Sequence, residues 1–579
     1  MRIAAFMVFC SVCAAGTAAE KVDPRVRAFV EPVRVVWTTQ KDEPNCPSGR
    51  VEAASTLLSA KRGQAPEGGW GRSTMTYGCR MENKGSVPGI LLDFGRELHG
   101  GLHIQCGRRV GHSRAMLRIR FGESVSEAMS GLGGKRNATN EHAIRDDVIE
   151  VPSFGSREIG NTGFRFVRID LVSEGSVTLE AVRAVSLMRP MERRGSFRCS
   201  DERINRIYET AVRTVHLCCQ DYLWDGIKRD RLIWSGDMHP EIMAILYSFG
   251  AAEIIPESLD CLAATTPPDK WMNTMPCYTF WWIRNMAEWY RYTGDKRYLD
   301  RHAGYIAETV GHMASCMSPS NTWNAAGFLD WPTKGNPKAV ESGKHALAKI
   351  AFDEAAFLAS ETGDSALAAR CRDISRRLGS LDLDPCGAKT SAALLALSGH
   401  RPAKEMFVDV LGCGGHDGVS TFYGYYMLEA MSAAGENAYA LGTVRDYWGA
   451  MLDMGATSFW EDFAISWTNN CYRIDELPVK GMEDVHGDRG AYCYVGFRHS
   501  LCHGWSAGPA AWLVSRILGV RPVALGCRTV EVKPDLAGLD WAEGTFPAPS
   551  GDISVKLRRK TDGTVDVSVT TPDGVEILR

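Results

Sequence analysis

Between Trp224 and Glu241 the chain places four acids (Asp225, Asp230, Asp237, Glu241), three cations (Lys228, Arg229, Arg231) and two indoles (Trp224, Trp234). The stretch has no run of one sign and no helical stripe. Acids beside aromatic rings suit a sugar, whose hydroxyls need charged acceptors and whose C–H faces lie against indole. An ordinary helix-entry loop carrying surface ion pairs is the competing reading. The glycines and tryptophans at fixed places, and a second cluster at Gly455-Ala456-Thr457-Ser458-Phe459-Trp460-Glu461-Asp462, favour a site. Further clusters occur at Trp271 with Trp281-Trp282, at Gly327-Phe328-Leu329-Asp330-Trp331, and from His499 through His503 to Pro509. Each alone is weak, because a Trp beside an acid is commonly a core edge. Together, all at loops or helix entries, they are harder to assign to chance.

Glycoside hydrolysis needs two carboxyl groups flanking the bond, one protonated as general acid and one ionised. When water attacks directly the pair stands roughly 6.5–9.5 Å apart, which residues on separate hairpins can satisfy and sequence neighbours cannot. Asp230 and Glu461 are candidates of that kind. Arg229 and Arg231 would lower the pKa of Asp230 if they pointed at it, which is wrong for an acid, so they are expected to face elsewhere or to bind other acids. Asp225 and Asp237 read as acceptors for sugar hydroxyls, and Trp234 or Trp460 as a stacking surface. No Gly-rich phosphate loop follows a strand, and neither HExxH nor GxSxG occurs. His486-Gly487-Asp488 and His416-Asp417 read as hydrogen-bonded turns rather than metal ligands. The sequence therefore assigns no cofactor and no metal. Two alternatives stay open: a glycan-binding protein without a competent acid, and a lyase with a base near Tyr423 or His503.

The elements that must position these residues follow from periodicity. From residue 20 to 195, runs such as Val33–Trp37, Gly89–Phe94, Leu102–Cys106, Met116–Phe121 and Phe164–Leu171 alternate with period two between Gly-rich breaks, predicting a β-sandwich. Ser200-Asp201 reads as a helix N-cap. Over residues 196–518, apolar residues recur at helical spacing near 202–220, 239–255, 278–293, 297–316, 342–362, 364–378, 389–398, 402–411, 419–434, 436–454 and 503–518. About one hairpin per 50 residues suits an (α/α)6 toroid whose inner helices meet at a cavity; no fixed-period consensus supports a solenoid. Residues 519–579 return to strands and predict a small C-terminal β-sandwich.

Composition bounds the partners. With 45% hydrophobic and 23% charged residues, 579 in all, the chain is that of a soluble multidomain protein. A net charge of −3 gives no reason to expect nucleic acid or an anionic membrane. Residues 1–19, with one early cation, an apolar stretch and small residues before Glu20, have the form of a secretory signal peptide too short to span a bilayer. The mature protein is expected to be secreted or periplasmic, without membrane insertion, and to meet a carbohydrate. Of 18 cysteines, Cys10 and Cys13 fall in that leader; the rest show no CxxC pairing and read mostly as buried small residues.

These motifs resemble the bacterial α-L-rhamnosidases of glycoside hydrolase family 78. The family pattern Asp-x-x-x-Arg-Glu-Arg-x-x-Trp-x-Gly-Asp is matched by Asp225, Arg229, Asp230, Arg231, Trp234, Gly236 and Asp237. Its Gly-Ala-Thr-x-x-Trp-Glu signature recurs at Gly455, Ala456, Thr457, Trp460 and Glu461. Leu329-Asp330-Trp331, His503 through Ser506, and Asp93 through Glu97 are similar to further family segments. The resemblance implies an inverting hydrolase with the general acid at position 230 and Glu461 as general base. It also implies that Asp225, Asp237, Asp330 and His503 hold the sugar. Arg229, Trp282 and Trp331 are expected as further substrate contacts beside Trp234 and Trp460. The family usually has Glu where Asp230 stands, which sets the proton donor about 1–1.5 Å farther back. Either the pocket has moved in to suit Asp, or the substrate differs, or hydrolysis is lost.

Overall fold

The computed structural model describes residues 22–40, 44–58, 78–111 and 114–579; the expected leader at residues 1–19 lies outside them. Among the described residues, strands predominate up to Met188, helices from Glu202 to Ile517, and strands return from Val520. Among the described residues no helix is long and apolar enough to cross a membrane. Their cysteines are all free and most are buried, so they act as small apolar residues.

The described residues of the first region form a nine-stranded sheet. Its centre is Gly89–Val110, which pairs antiparallel with both Gly155–Leu171 and Gly175–Met188. Gly89–Phe94 and Leu102–Cys106, expected as separate strands, belong to this one strand of 22 residues. The glycines between them mark register shifts rather than turns. At Gly100, φ is +139° and a Cβ would sit 1.9 Å from the Val185 carbonyl oxygen, so the neighbouring strand can approach only a glycine there. Ile90, Leu92, Phe94, Leu117, Ile119, Phe121 and Phe164 form the core of this region. A single turn, α1 (Val125–Met129), follows the strand Ala115–Gly122. The Ser124 hydroxyl caps it by accepting from the Glu127 amide, while the Glu127 carboxylate accepts from the Glu123 amide at 2.8 Å.

The helical region runs through α2 (Glu202–Cys218), α3 (Met238–Ser248), α4 (Ile254–Thr265), α5 (Pro276–Thr293), α6 (Lys296–Ser315), α7 (Pro337–Glu361), α8 (Ser365–Gly379) and α9 (Lys389–Leu397). It continues with α10 (Ala403–Met406), α11 (Gly424–Ala433), α12 (Asn437–Thr443), α13 (Gly449–Asp453) and α14 (Gly508–Trp512). Wider-turned segments at Phe407–Leu411, Val444–Trp448 and Leu513–Ile517 extend α10, join α12 to α13, and extend α14. Asp201 caps α2 through the Arg203 amide, as its position before the first apolar repeat predicts. Where the periodicity predicts one helix over 239–255, the chain forms two, α3 ending at Ser248 and α4 beginning at Ile254. Pro256 reads as a breaker, but it falls in the first turn of α4, where a helix has no use for that N–H.

The C-terminal strands share one core with the helices: Trp281, Trp448 and Trp512 belong to the same buried cluster as Phe546, Ile553 and Val555. The strand Ser196–Cys199, just before α2, pairs antiparallel with Trp541–Ala548 and ties the two regions together. The first region grips the helical one at another place. Arg165 forks onto Asp93 at 2.9 and 3.1 Å and donates to the Gly455 carbonyl at 3.0 Å. The Glu97 amide donates to Thr457 Oγ1 at 2.8 Å, and the Val125 amide to the Ile474 carbonyl at 2.8 Å.

Candidate active site

Segments between the helices converge on one cavity of about 270 Å³. The α2–α3 connection supplies Asp225, Arg229, Asp230, Trp234 and Asp237; the loop before α7 supplies Asp330 and Trp331. Phe422 precedes α11, Glu461 follows α13, and His503 with Trp505 leads into α14. This volume lies at the small end of ligand pockets, roughly 300–1,000 Å³, and suits one sugar ring better than a run of them. A larger cleft, about 820 Å³, lies along the outer face of α2 and contains none of these acids.

The α2–α3 connection is folded back on itself. The Asp225 amide donates to the Leu232 carbonyl at 3.0 Å, and the Leu232 amide returns to Asp225 Oδ1 at 2.9 Å. Asp230 and Arg231 at its tip both take left-handed backbone angles, φ 52° and 55°. Aspartate visits that region far more readily than glutamate, so the shorter acid fits the turn that carries it. Arg231 points away, its Nη1 donating to the Asn161 carbonyl at 2.9 Å and its Nη2 to the His142 carbonyl. Arg229 points in. Its Nη2 donates to Glu461 Oε1 and its Nη1 lies 3.3 Å from Asp230 Oδ1, with the guanidinium 5.4 Å from the centre of the Tyr494 ring. The expectation that the two arginines face elsewhere or bind other acids thus holds for Arg231, whereas Arg229 bridges both carboxylates. His142, from the first region, brings Nδ1 to 3.6 Å from Asp230 Oδ1.

Glu461 is buried and held on every side. Its Oε2 accepts from the Ser500 amide at 3.1 Å, and its own amide donates to the Ser500 carbonyl at 3.0 Å. Its carbonyl accepts from Trp505 Nε1 at 3.0 Å and Thr421 Oγ1 at 2.6 Å. His503 Nε2 stands 3.5 Å from Asp225, 3.6 Å from Glu461 and 3.8 Å from Asp237. Burial drives the His503 pKa down to about 4 despite these acids, so the ring is neutral at pH 7 and can accept or donate a hydrogen bond to a hydroxyl. Asp330 accepts from the Thr333 amide at 2.9 Å and from Thr390 and Ser420 hydroxyls at 3.2 Å each. Aromatic walls complete the cavity: Trp234 lies edge-on to Tyr278, and Phe422 stacks on Trp505 at 4.8 Å.

Burial raises the pKa of Asp225, Asp237 and Asp330; Asp230 adds to the effect at Asp225, and Asp225 to that at Asp237. Asp462, beside Glu461, is pushed up to about 7, first by burial and then by Glu461. Buried carboxyls arranged against folding stability are the mark of a site kept for binding or chemistry. For Asp237 the cost is absent while the group is protonated and appears as pH rises above its ordinary value of 3.8. Asp237→Asn keeps an oxygen for the Tyr278 hydroxyl, which donates to it at 3.1 Å. The variant is expected to melt roughly 1–3 °C higher near neutral pH, with the gain shrinking towards pH 4. For a sugar hydroxyl seated on this carboxyl, a loss of roughly 10- to 100-fold in affinity is expected, as for a hydrogen bond to a charged group. Thermal denaturation across pH together with ligand titration checks both halves.

Nine of the eleven residues marked by the sequence therefore line the cavity: Asp225, Arg229, Asp230, Trp234, Asp237, Asp330, Trp331, Glu461 and His503. Trp282 and Trp460 do not. Trp282 is fully buried on α5, where its indole N–H donates to the Leu259 carbonyl of α4 and its ring meets Tyr305. Trp460 is fully buried against Phe463 and His499. Two large rings in tight contact with other side chains serve packing, and neither face is free to take a sugar. The cavity also uses Phe328, from the cluster at Gly327–Trp331, and Tyr278, Phe422 and Tyr494, which sequence reasoning passed over because an aromatic residue without a neighbouring acid reads as core. Tyr423, named as a possible base, is fully buried, and burial pushes its hydroxyl well above the ordinary range. Of the histidines set aside as turn residues, His416 pairs with Asp446 at 3.1 Å, and His486 is buried against Ser124 at 2.7 Å.

Comparison with known proteins places two stretches of the chain. Residues 192–373 match the family model of the bacterial alpha-L-rhamnosidase 6 hairpin glycosidase domain, and residues 519–578 that of the bacterial alpha-L-rhamnosidase C-terminal domain. An alpha-L-rhamnosidase of Alteromonas sp. (strain LOR) is 33% identical over 127 residues, which is 22% of this chain and 11% of that protein. The crystal structure of a GH78 family rhamnosidase of Bacillus sp. GL1 superposes with a TM-score of 0.70 at 23% identity, covering 85% of this chain and 53% of the other. A rhamnosidase from Klebsiella oxytoca with rhamnose bound gives 0.64 at 17% identity, covering 85% and 96%. At these identities the structural likeness is one of fold. The chain spans about a tenth of the Alteromonas protein and about half of the Bacillus one.

Proposed function

From a chain that carries the six-hairpin glycosidase and C-terminal domains of the bacterial α-L-rhamnosidases, we propose an exported inverting glycoside hydrolase that removes terminal α-L-rhamnose or a similar sugar from glycans. In this reading Asp230 protonates the leaving oxygen while Glu461 deprotonates a water on the opposite face of the sugar. Asp225, Asp237, Asp330 and His503 hold its hydroxyls, and Trp234 and Trp331 lie against its ring. The helices close as an (α/α)6 toroid over residues 196–518, with a β-sandwich at 20–195 and a smaller one at 519–579. The leader-like residues 1–19 support export.

The observation that carries the proposal is the gathering of Asp230 and Glu461 with Asp225, Asp237, Asp330 and His503 around one cavity, Arg229 setting the spacing of the first two. Two carboxylates on the two arms of one guanidinium have nearest oxygens no more than about 8 Å apart, which admits the roughly 6.5–9.5 Å of inverting pairs. The guanidinium also donates to Glu461 Oε1 and so fixes the carboxylate that would take the proton. The small cavity lined by both acids and aromatic rings supports a single terminal sugar as the bound group.

Turnover of an aryl α-L-rhamnoside, followed by NMR of the first sugar released, tests this. β-L-Rhamnose appearing first is the expected result. α-L-Rhamnose first would overturn inversion. Rhamnose binding without turnover would point to a glycan-binding protein, and a product with unsaturated-ring absorbance to a lyase.

A further inference from the structure

We propose that Glu123, supplied by the first β-region, acts with Lys228 as a positioning device for Glu461; this rests on the reading of Glu461 as the base. Glu123 follows the strand Ala115–Gly122, enters the seam with the helical region and is fully buried there. Its Oε2 accepts from the Leu501 amide at 2.7 Å and its Oε1 from the Ser500 hydroxyl at 3.2 Å. The same Ser500 exchanges two backbone hydrogen bonds with Glu461, one of them from the Ser500 amide to the carboxylate itself. Glu123 therefore fixes the short segment that fixes the base.

Lys228 locks the second side. Its ammonium sits 3.1 Å from Glu123 and 3.0 Å from Glu127, and donates to the His499 carbonyl at 2.8 Å. The next residue in the chain is Arg229, whose guanidinium holds the other oxygen of Glu461. One buried cluster thus sets both segments that grip the base, the 228–229 turn and the 499–501 run. His486 completes it, its Nδ1 paired with the Ser124 hydroxyl at 2.7 Å and its Nε2 with the His499 carbonyl at 3.0 Å. Donor atoms of Glu123, Glu127 and His486 lie within 4.8 Å of one another, a spacing that suits a cation, and Lys228 supplies that charge. Burial pushes Glu123 up to about 7 even beside Lys228, a cost with no packing reason to be carried. A carboxylate so expensive to bury is retained where its two acceptor oxygens set a geometry that an apolar side chain cannot.

The test is Glu123→Gln in the full-length protein, assayed on an aryl α-L-rhamnoside in the wild-type and the Glu461→Gln backgrounds. Gln keeps one acceptor and loses the charge facing Lys228. In the wild-type background kcat is expected to fall roughly 10- to 100-fold with KM changed less than about threefold, the signature of a misplaced group rather than lost binding. In the Glu461→Gln background it is expected to change kcat by less than about twofold, because the carboxylate it positions is gone. An equal loss in both backgrounds, or unchanged kcat in a folded Glu123→Gln protein, would overturn the proposal. If Glu123→Gln does not fold, Ser500→Ala serves, since it removes the hydroxyl, with its links to Glu123 and to the Cys502 backbone, and keeps the amide that touches Glu461; the same pair of outcomes applies. Should Glu461→Gln alone leave turnover intact, the assignment of the base fails, which is a separate result from failure of the positioning device.

Discussion

Glu461→Gln is expected to lower kcat on any rhamnoside by roughly 10²- to 10⁴-fold, the usual contribution of a general base, while rhamnose still binds. The substitution is close to isosteric. Its amide oxygen can still accept from the Ser500 amide and its backbone still pairs with the Ser500 carbonyl. What disappears is the anion facing Arg229, and with it the proton acceptor. No neighbour replaces it well: His503 Nε2 is 3.6 Å away, but with its pKa driven down to about 4 by burial the ring is a poor base. Asp230 Oδ1 still accepts from Arg229 Nη1 at 3.3 Å, so the guanidinium keeps a hydrogen-bond partner, and the fold should survive. Steady-state kinetics with calorimetric titration of rhamnose separates the two effects; a kcat within about threefold of wild type would remove Glu461 from the chemistry.

Asp230→Asn is the second large effect, and its size should depend on the leaving group. A glycosidic oxygen bound to another sugar leaves as a poor alkoxide unless protonated, so loss of the acid should cost roughly 10²- to 10⁴-fold on a disaccharide. A nitrophenolate needs little help, and on that substrate the loss should be at least roughly tenfold smaller. The gap between the two substrates identifies an acid, because a merely structural defect would depress both rates alike. Asp230 is about one-fifth exposed, with His142 Nδ1 at 3.6 Å and Arg229 at 3.3 Å, so no hydrogen-bonded network collapses when its charge is removed. Equal losses on both substrates would remove the role of acid from Asp230.

Much of the site was legible because charge is costly to bury. Asp225, Asp230, Asp237, Asp330 and Glu461 stood out as acids at helix entries, and the structure gathers all five around one cavity. Aromatic residues carry no such mark. Trp281-Trp282 and Tyr278 sit on the same helix, α5, yet only Tyr278 reaches the cavity, because a ring's role depends on which way its helix faces. The cation between the acids was readable only in part: sequence adjacency put Arg229 beside Asp230, but its grip on Glu461 joins residues 232 positions apart. Glu123 was out of reach altogether. It lies 377 positions from Ser500, in a strand region whose period-two pattern points to packing alone. In the fold, strands and helices emerged where periodicity was clean, and the errors fell on Pro256 and on the glycines of Gly89–Val110. In each case a residue that commonly ends an element serves a narrower purpose inside one.

Arg229 has a consequence for how the enzyme would return to its starting state. Across one inverting turnover a proton leaves Asp230 and another arrives on Glu461, so negative charge moves from one side of the cavity to the other. The guanidinium touches both sides. It faces a single anion before the reaction and a single anion after it, and only the arm that carries the pairing changes. The charge enclosed around it is therefore conserved over the cycle, so the reset needs a proton returned from Glu461 to Asp230 by way of water but no ion drawn in from solvent. Arg229 would act as the pivot of a balance whose two pans are the acid and the base.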